Sequence, residues 1–154
     1  MIINNSKGVA VEFLKEYVDI IIFATLAIMS FVACWFSVER ILFLSKVDIA
    51  QYPCEEELEE SLTNNLSILH IIYSNAPYVG LLGTVIGVMI TFYDMGQNEG
   101  MDVKNIMLGL SLALKATALG LFVAIPTLMA YHLLLRRVNV LLNRYKAKYH
   151  ENAA

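Results

Sequence analysis

Charge and cysteine are scarce in this sequence, and each scarcity excludes a class of protein. Charged residues make up only 16% of the 154 residues and hydrophobic residues 58%, which excludes an ordinary soluble domain. The net charge of −3 offers no overall attraction for nucleic acid, so we expect no nucleic-acid partner. The spacing of the two cysteines, Cys34 and Cys54, fits neither a metal site nor a disulfide framework.

Groups that perform chemistry are also missing. The sequence has no nucleophile beside a base, no paired carboxylates in an apolar setting, no phosphate-binding glycine loop and no metal-ligand spacing. The acidic run Glu55–Glu57 fits the solvated start of a helix better than a divalent-metal site. We therefore expect a protein that is not an enzyme and that needs no cofactor or metal.

Long apolar segments are what the sequence does contain. A hydrocarbon core of about 30 Å is crossed by about 20 apolar helical residues. Ile20–Val38 and Asn75–Tyr93 are uncharged throughout, and a third helix is predicted from Val103 to about Arg144. We predict one all-α integral membrane domain over residues 1–154, with spans near 19–39, 75–94 and 104–135 and cytoplasmic helical segments 40–74 and 136–154.

The segments that flank these spans carry weaker signals. Val9–Val18 is predicted to form a short amphipathic helix at the membrane interface. Residues 1–19 mix acidic and basic side chains, unlike a cleaved signal peptide, so we expect the first span to be retained. The leucines after Pro53 predict a helix that runs on into the second span, and Asp94–Asp102 predicts a hairpin in which Asp102 caps the third.

Basic residues flank the spans unequally, which predicts the orientation of the chain. The N-terminal segment and the hairpin hold three: Lys7, Lys15 and Lys104. The first polar loop and the C-terminal segment hold seven: Arg40, Lys46, Arg136, Arg137, Arg144, Lys146 and Lys148. Because basic loops stay in the cytoplasm, the N-terminus is predicted outside and the C-terminus inside.

Small residues form a stripe along each of the last two spans. A glycine destabilises a helix by about 1 kcal/mol relative to alanine. In a membrane, glycines usually occur in a helix because they allow another helix to approach closely. The second-span stripe comprises Gly80, Gly83, Thr84, Gly87 and Thr91, and the third-span stripe comprises Gly109, Ala113, Thr117, Gly120 and Ala124. Either the stripes only pack helices, or their hydroxyls at Thr84 and Thr117 line a narrow ion path. Leucine at Gly83 or Gly120 is expected to break an oligomer, and Pro126 is expected to bend the third helix within its packing.

Few charged residues lie inside or beside the spans. Lys115 is the only formal charge well inside one, where insertion costs about 2.5 to 3.5 kcal/mol. It either pairs within a complex, contributes to an ion path, or reaches lipid headgroups. Asp19, at the start of the first span, is either solvated or faces the bundle. Arg136 and Arg137, at the inner end of the third, are candidates for contact with a partner or with lipid.

Two sequence blocks resemble the MotA/TolQ/ExbB proton-channel family, and its ExbB branch most. They are APYVGLLGTVIGVM at Ala76–Met89 and GLSLALKATALGLFVAIPTLMAY at Gly109–Tyr131. The resemblance implies a homo-pentamer in the bacterial inner membrane, with a periplasmic N-terminus, an ExbD-like single-span partner and a TonB-like protein. It implies that the complex harvests the proton-motive force to power outer-membrane transport of iron-siderophores or similar ligands.

The resemblance also identifies site residues and one departure. Thr84 and Thr117 match the pore-lining threonines of the family. ExbB and TolQ proteins usually carry a glutamate shortly before the ATA block, and that position is Leu112 here. The resemblance therefore implies that a partner's aspartate supplies the titrating carboxylate. Two alternatives remain open: a TolQ-like subunit of the Tol-Pal system, and a helical membrane scaffold that does not conduct.

Overall fold

Helices make up almost all of the part of the protein that the structure describes. The computed structural model describes residues 2–97 and 103–151. Helix α1 spans Ile2–Lys46, α2 Glu55–Thr63, α3 Leu66–Gln97 and α4 Val103–Glu151, with a 3-10 turn at Ile49–Gln51 and no strand among the described residues. Within these residues, three segments are long and apolar enough to cross a membrane: Tyr17–Lys46, Leu66–Gly96 and Ile106–Tyr149. The all-α class with three candidate spans is thereby confirmed.

The first helix corrects the prediction for the N-terminal segment. We expected a short interfacial helix at Val9–Val18 and a separate span at Ile20–Val38, but α1 runs unbroken from Ile2 to Lys46. No glycine or proline occurs between Val9 and Lys46, so nothing in the chain interrupts the ladder of backbone hydrogen bonds.

The second correction concerns the helix that was predicted to run on into the second span. It is broken after Thr63, and Asn65 adopts a left-handed backbone conformation with φ of 61°. Asparagine tolerates this conformation better than most residues, and the Asn64–Asn65 pair therefore accommodates the turn between α2 and α3. The Asn65 amide nitrogen also donates to a carboxylate oxygen of Glu39, 3.3 Å away.

The prolines do not end their helices, and the predicted hairpin is only partly described. Helix α3 continues through Pro77 and α4 continues through Pro126. Residues 94–97, the first part of the predicted hairpin, belong to α3. The expected cap at Asp102 lies outside the described residues.

The chain divides into two compact units. The first unit comprises Met1–Ser30 and Ser74–Ala124, and the second comprises Phe31–Tyr73 and Ile125–Ala154. Small side chains dominate the buried residues of the first unit, with Ala76, Ala113 and Ala116 each no more than 4% exposed. Large apolar side chains remain on its surface, among them Val85, Leu114 and Phe122.

Large side chains fill the core of the second unit. Leu58, Leu62, Leu69, Leu134 and Val138 are almost entirely buried. A fully buried leucine contributes about 1.5–3 kcal/mol by leaving water, so α2 is held to this unit chiefly by Leu58 and Leu62.

Polar contacts also tie the second unit together. The buried Arg40 guanidinium donates to the Ser61 carbonyl oxygen at 3.1 Å and lies over the Phe43 ring. The Tyr145 hydroxyl donates to the Tyr52 carbonyl oxygen at 3.2 Å, and the Lys146 ammonium lies 2.8 Å from a Glu55 carboxylate oxygen.

Candidate functional site

In the first unit, α3 and α4 approach each other so closely that their backbones nearly touch. A methyl group added at Gly80 would lie 2.7 Å from the Ala116 carbonyl oxygen and 3.0 Å from the Cα atom of Thr117. One added at Gly120 would lie 2.7 Å from the Ala76 carbonyl oxygen. These neighbours are backbone atoms, which cannot turn aside as a side chain can. Only glycine fits at these two positions.

The remaining glycines of the two stripes face side chains of the opposite helix. An added Cβ would lie 2.7 Å from the Ala116 Cβ at Gly83, 2.8 Å from the Ala113 Cβ at Gly87, and 2.6 Å from the Thr91 hydroxyl oxygen at Gly109. The two stripes predicted from the sequence therefore meet each other within one chain. Gly83 and Gly120 both lie in this contact within one chain, and the expectation that leucine at either position breaks an oligomer stays a prediction.

The hydroxyls of Thr84 and Thr117 meet inside this close contact. The two oxygen atoms are within hydrogen-bond distance of each other, and both side chains are half-buried. The Thr84 hydroxyl also lies 3.3 Å from the Gly80 carbonyl oxygen and 3.2 Å from that of Ala113. The Thr117 hydroxyl lies 3.2 Å from the same Gly80 oxygen.

This geometry gives the pair more acceptors than protons. Each threonine has a single hydroxyl proton, and the available acceptors are the partner hydroxyl and two backbone carbonyl oxygens. Either hydroxyl can donate to the other, because the Gly80 oxygen accepts from whichever proton remains. The pair therefore offers a hydrogen-bonded bridge between α3 and α4 whose direction can reverse without movement of the helices.

The charged candidates of the first unit lie away from this bridge. Lys115 is exposed on α4, two residues before Thr117 and therefore on another side of the helix. Leu112 is 40% exposed and Asp19 is partly buried on α1. The structure does not bring Lys115 or Asp19 to the threonine pair in any contact that it records.

The other predicted site residues belong to the second unit. Pro126, Arg136 and Arg137 are exposed and line one groove beside α4. In the described part of the chain, no group of three or more histidine, cysteine, aspartate and glutamate side chains is placed to hold a metal ion.

An aromatic cluster in the second unit was not predicted from the sequence. The Tyr73 hydroxyl lies 2.8 Å from Nδ1 of His70, and the rings of both residues pack against Tyr131 of α4. His132 extends the cluster, with its ring centroid 5.3 Å from that of Tyr131. The two pairs lie on different helices, so helical spacing alone could not have joined them.

Comparison with known proteins places the chain among membrane proton channels. Residues 47–147 match the MotA/TolQ/ExbB proton channel family. The chain is 58% identical over 139 residues to the biopolymer transport protein ExbB of Helicobacter pylori strain J99, covering 90% of this chain and 96% of that protein. It is 48% identical over 127 residues to the ExbB of Aquifex aeolicus, covering 82% and 86% respectively.

A more distant relative matches a smaller part of both chains. The Tol-Pal system protein TolQ of Haemophilus influenzae is 42% identical over 86 residues, which cover 56% of this chain and 38% of that protein. The matches to the two ExbB proteins thus extend over nearly their whole length, and the three apolar helices make the protein a multi-pass membrane protein. This chain belongs to the MotA/TolQ/ExbB proton channel family.

Proposed function

We propose that this chain is the proton-channel subunit of an ExbB-like energy-transducing complex in the bacterial inner membrane. In this proposal it forms a homo-pentamer with an ExbD-like single-span partner and a TonB-like protein, and the complex powers outer-membrane transport of iron-siderophores or similar ligands. This chain matches 96% and 86% of the lengths of two ExbB proteins but only 38% of the length of the TolQ relative, which supports an ExbB-like role over a TolQ-like one.

The orientation follows from the charges that flank the spans. Seven basic residues in the first polar loop and the C-terminal segment, against three elsewhere outside the spans, support a cytoplasmic C-terminus. The N-terminus would then lie in the periplasm, because three spans put the two termini on opposite sides.

The Thr84–Thr117 pair carries the proton-channel proposal. A purely structural stripe needs only small side chains, and glycine or alanine would supply them without a hydroxyl bridge between the two helices. The pair instead places two hydroxyls and the Gly80 carbonyl oxygen together in a half-buried position within an apolar helix pair. Hydroxyl groups that both donate and accept can pass a proton or stabilise a nearby carboxylate.

The proton-binding carboxylate itself would come from the partner. Residues 75–93 and 104–135 contain no aspartate or glutamate, and Leu112 replaces the glutamate that ExbB and TolQ proteins usually carry. An intramembrane aspartate of the ExbD-like partner would therefore titrate beside Thr84 and Thr117.

The test is to remove the hydroxyls and keep the shape. Thr84→Val and Thr117→Val together should abolish proton-driven uptake, measured as iron-limited growth of a deletion strain and as proton flux in proteoliposomes that contain the partner. Assembly should be retained, because each lost hydrogen bond costs only about 1 kcal/mol. Thr25→Val is the matched control, since within the described residues the Thr25 hydroxyl donates only to the Ile21 carbonyl oxygen of its own helix, at 2.8 Å.

Two results would contradict the proposal. Full growth and full flux in the double variant would show that the pair only packs helices, as in a scaffold that does not conduct. Loss of envelope integrity without loss of iron uptake in a deletion strain would assign the chain to a TolQ-like role.

A further inference from the structure

The second unit contains a groove that the proton pathway does not use. It has a volume of about 840 Å³, within the range of about 300–1,000 Å³ that is typical of ligand sites. Ile41 and Leu44 of α1 form one wall, and Met129 and Leu133 of α4 form the other. Met129 and Leu133 are more than 60% exposed, so this apolar surface has no partner within the described chain.

Three arginines line the same groove. Arg136, Arg137 and Arg144 all contribute to it, and no acidic residue does. The guanidinium groups are exposed, and within the described residues none of them forms an ion pair with a carboxylate. In a chain whose net charge is −3, this is a local concentration of positive charge.

The chemistry changes in one direction along α4. The wall is apolar from Pro126 to Leu134. Beyond Leu134 it includes Arg136, Arg137 and Arg144, with Val140 and Leu141 between them, and Arg136 and Arg144 lie about 12 Å apart along the helix. Both helices that form the groove belong to segments apolar enough to cross a membrane, Tyr17–Lys46 and Ile106–Tyr149. A molecule that fits must therefore be apolar at one end and anionic at the other.

We propose that this groove binds an anionic phospholipid. Its phosphate accepts hydrogen bonds from Arg136, Arg137 and Arg144, and its acyl chains lie against Met129 and Leu133. Guanidinium groups suit this role, because their planar donors match a phosphate and basic clusters at a membrane surface attract acidic lipids.

The acidic helix α2 of a second copy fits the groove less well. It offers carboxylates at Glu56, Glu57, Glu59 and Glu60, which match the arginines in charge. Its two leucines, Leu58 and Leu62, are fully buried in their own subunit. Helix α2 therefore has no apolar surface left to cover Met129 and Leu133.

Native mass spectrometry of the purified protein in neutral detergent tests the proposal. Phosphatidylglycerol should bind at least about tenfold more tightly than phosphatidylcholine. Arg136→Gln, Arg137→Gln and Arg144→Gln combined should remove this preference. Lys46→Gln, Lys104→Gln and Lys148→Gln remove the same number of charges outside the groove and should retain it.

Further measurements separate the lipid tail from the headgroup. Met129→Ser combined with Leu133→Ser should weaken the binding of both phosphatidylglycerol and phosphatidylcholine, while the preference for phosphatidylglycerol is retained. Inorganic phosphate should not displace phosphatidylglycerol at concentrations at which phosphatidylglycerol itself saturates the groove.

Three outcomes would overturn the proposal. One is an undiminished preference for phosphatidylglycerol in the triple arginine variant. Another is equal competition by inorganic phosphate. The third is a disulfide between Glu57→Cys and Arg137→Cys on neighbouring subunits without any lipid preference, which would assign the groove to α2 of a second copy.

Discussion

The two units of this protein are built on opposite packing rules. In the first unit, glycine and alanine let the backbones of α3 and α4 nearly touch, and the buried side chains are small. In the second unit, leucines fill the core. Side-chain hydrogen bonds also join Arg40 of α1 to Ser61 of α2, and Tyr145 of α4 to Tyr52 in the segment between α1 and α2. Close backbone contact fixes two hydroxyls relative to each other, whereas a leucine core only requires that volume be filled.

The largest expected effect comes from filling the close contact of the first unit. Gly120→Leu would place a Cβ atom 2.7 Å from the Ala76 carbonyl oxygen, and the helices can relieve this only by separating. We expect loss of the folded subunit, a larger effect than the roughly 1–3 kcal/mol of ordinary overpacking. Gly96→Leu is the control, because no atom of the described residues lies within 4 Å of its added Cβ atom.

Yield and melting temperature of the purified protein would measure this difference. Equal stability of the Gly96 and Gly120 variants would show that backbone contact between α3 and α4 is not what holds the first unit. A Gly120→Leu variant that is folded but monomeric would show instead that this position serves assembly of the oligomer, as the sequence predicts.

An intermediate effect is expected from a cavity in the second unit. Leu62→Ala should cost about 2–5 kcal/mol, because Leu62 is completely buried and its removal leaves a void. Leu42→Ala, at a position 55% exposed on α1, should cost much less. Thermal unfolding of both variants would measure the difference, and equal losses would mean that α2 contributes little to the core.

The smallest effect on stability is expected when the positively charged Lys115 is replaced. The second unit buries Arg40 and bonds it to Ser61, whereas the first unit exposes Lys115 on α4. Lys115→Met should leave the melting temperature nearly unchanged but lower proton-coupled uptake, if the ammonium pairs with a carboxylate of the partner. Lys115→Glu should lower proton-coupled uptake further, because the substitution replaces attraction to the partner's carboxylate by repulsion.

Lipid contact is the competing role for Lys115. In that case Lys115→Met would retain wild-type uptake, and it would be as stable as the wild type or more so, since a lone charge in the membrane is costly. Lys104→Met, near the start of the same helix, controls for the loss of one positive charge.

Several features that the sequence did not reveal depend on residues far apart in the chain. The sequence marks Arg40 only as a basic flanking residue, yet it is 4% exposed, and its Nε atom has no hydrogen-bond partner among the described residues. The cluster of His70, Tyr73 and Tyr131 joins α3 to α4. The break at Asn64–Asn65 did leave a signal, because paired asparagines are typical of turns.

The sequence by itself determined the three apolar helices, the family and the small-residue stripes, because hydropathy and helical spacing are local properties of the chain. The tertiary structure alone decided which stripe meets which, that Gly80 and Gly120 serve the fold of one subunit, and that three arginines share an apolar groove. The physical reason is that each of these features joins segments far apart in sequence, and their positions depend on how the whole chain packs.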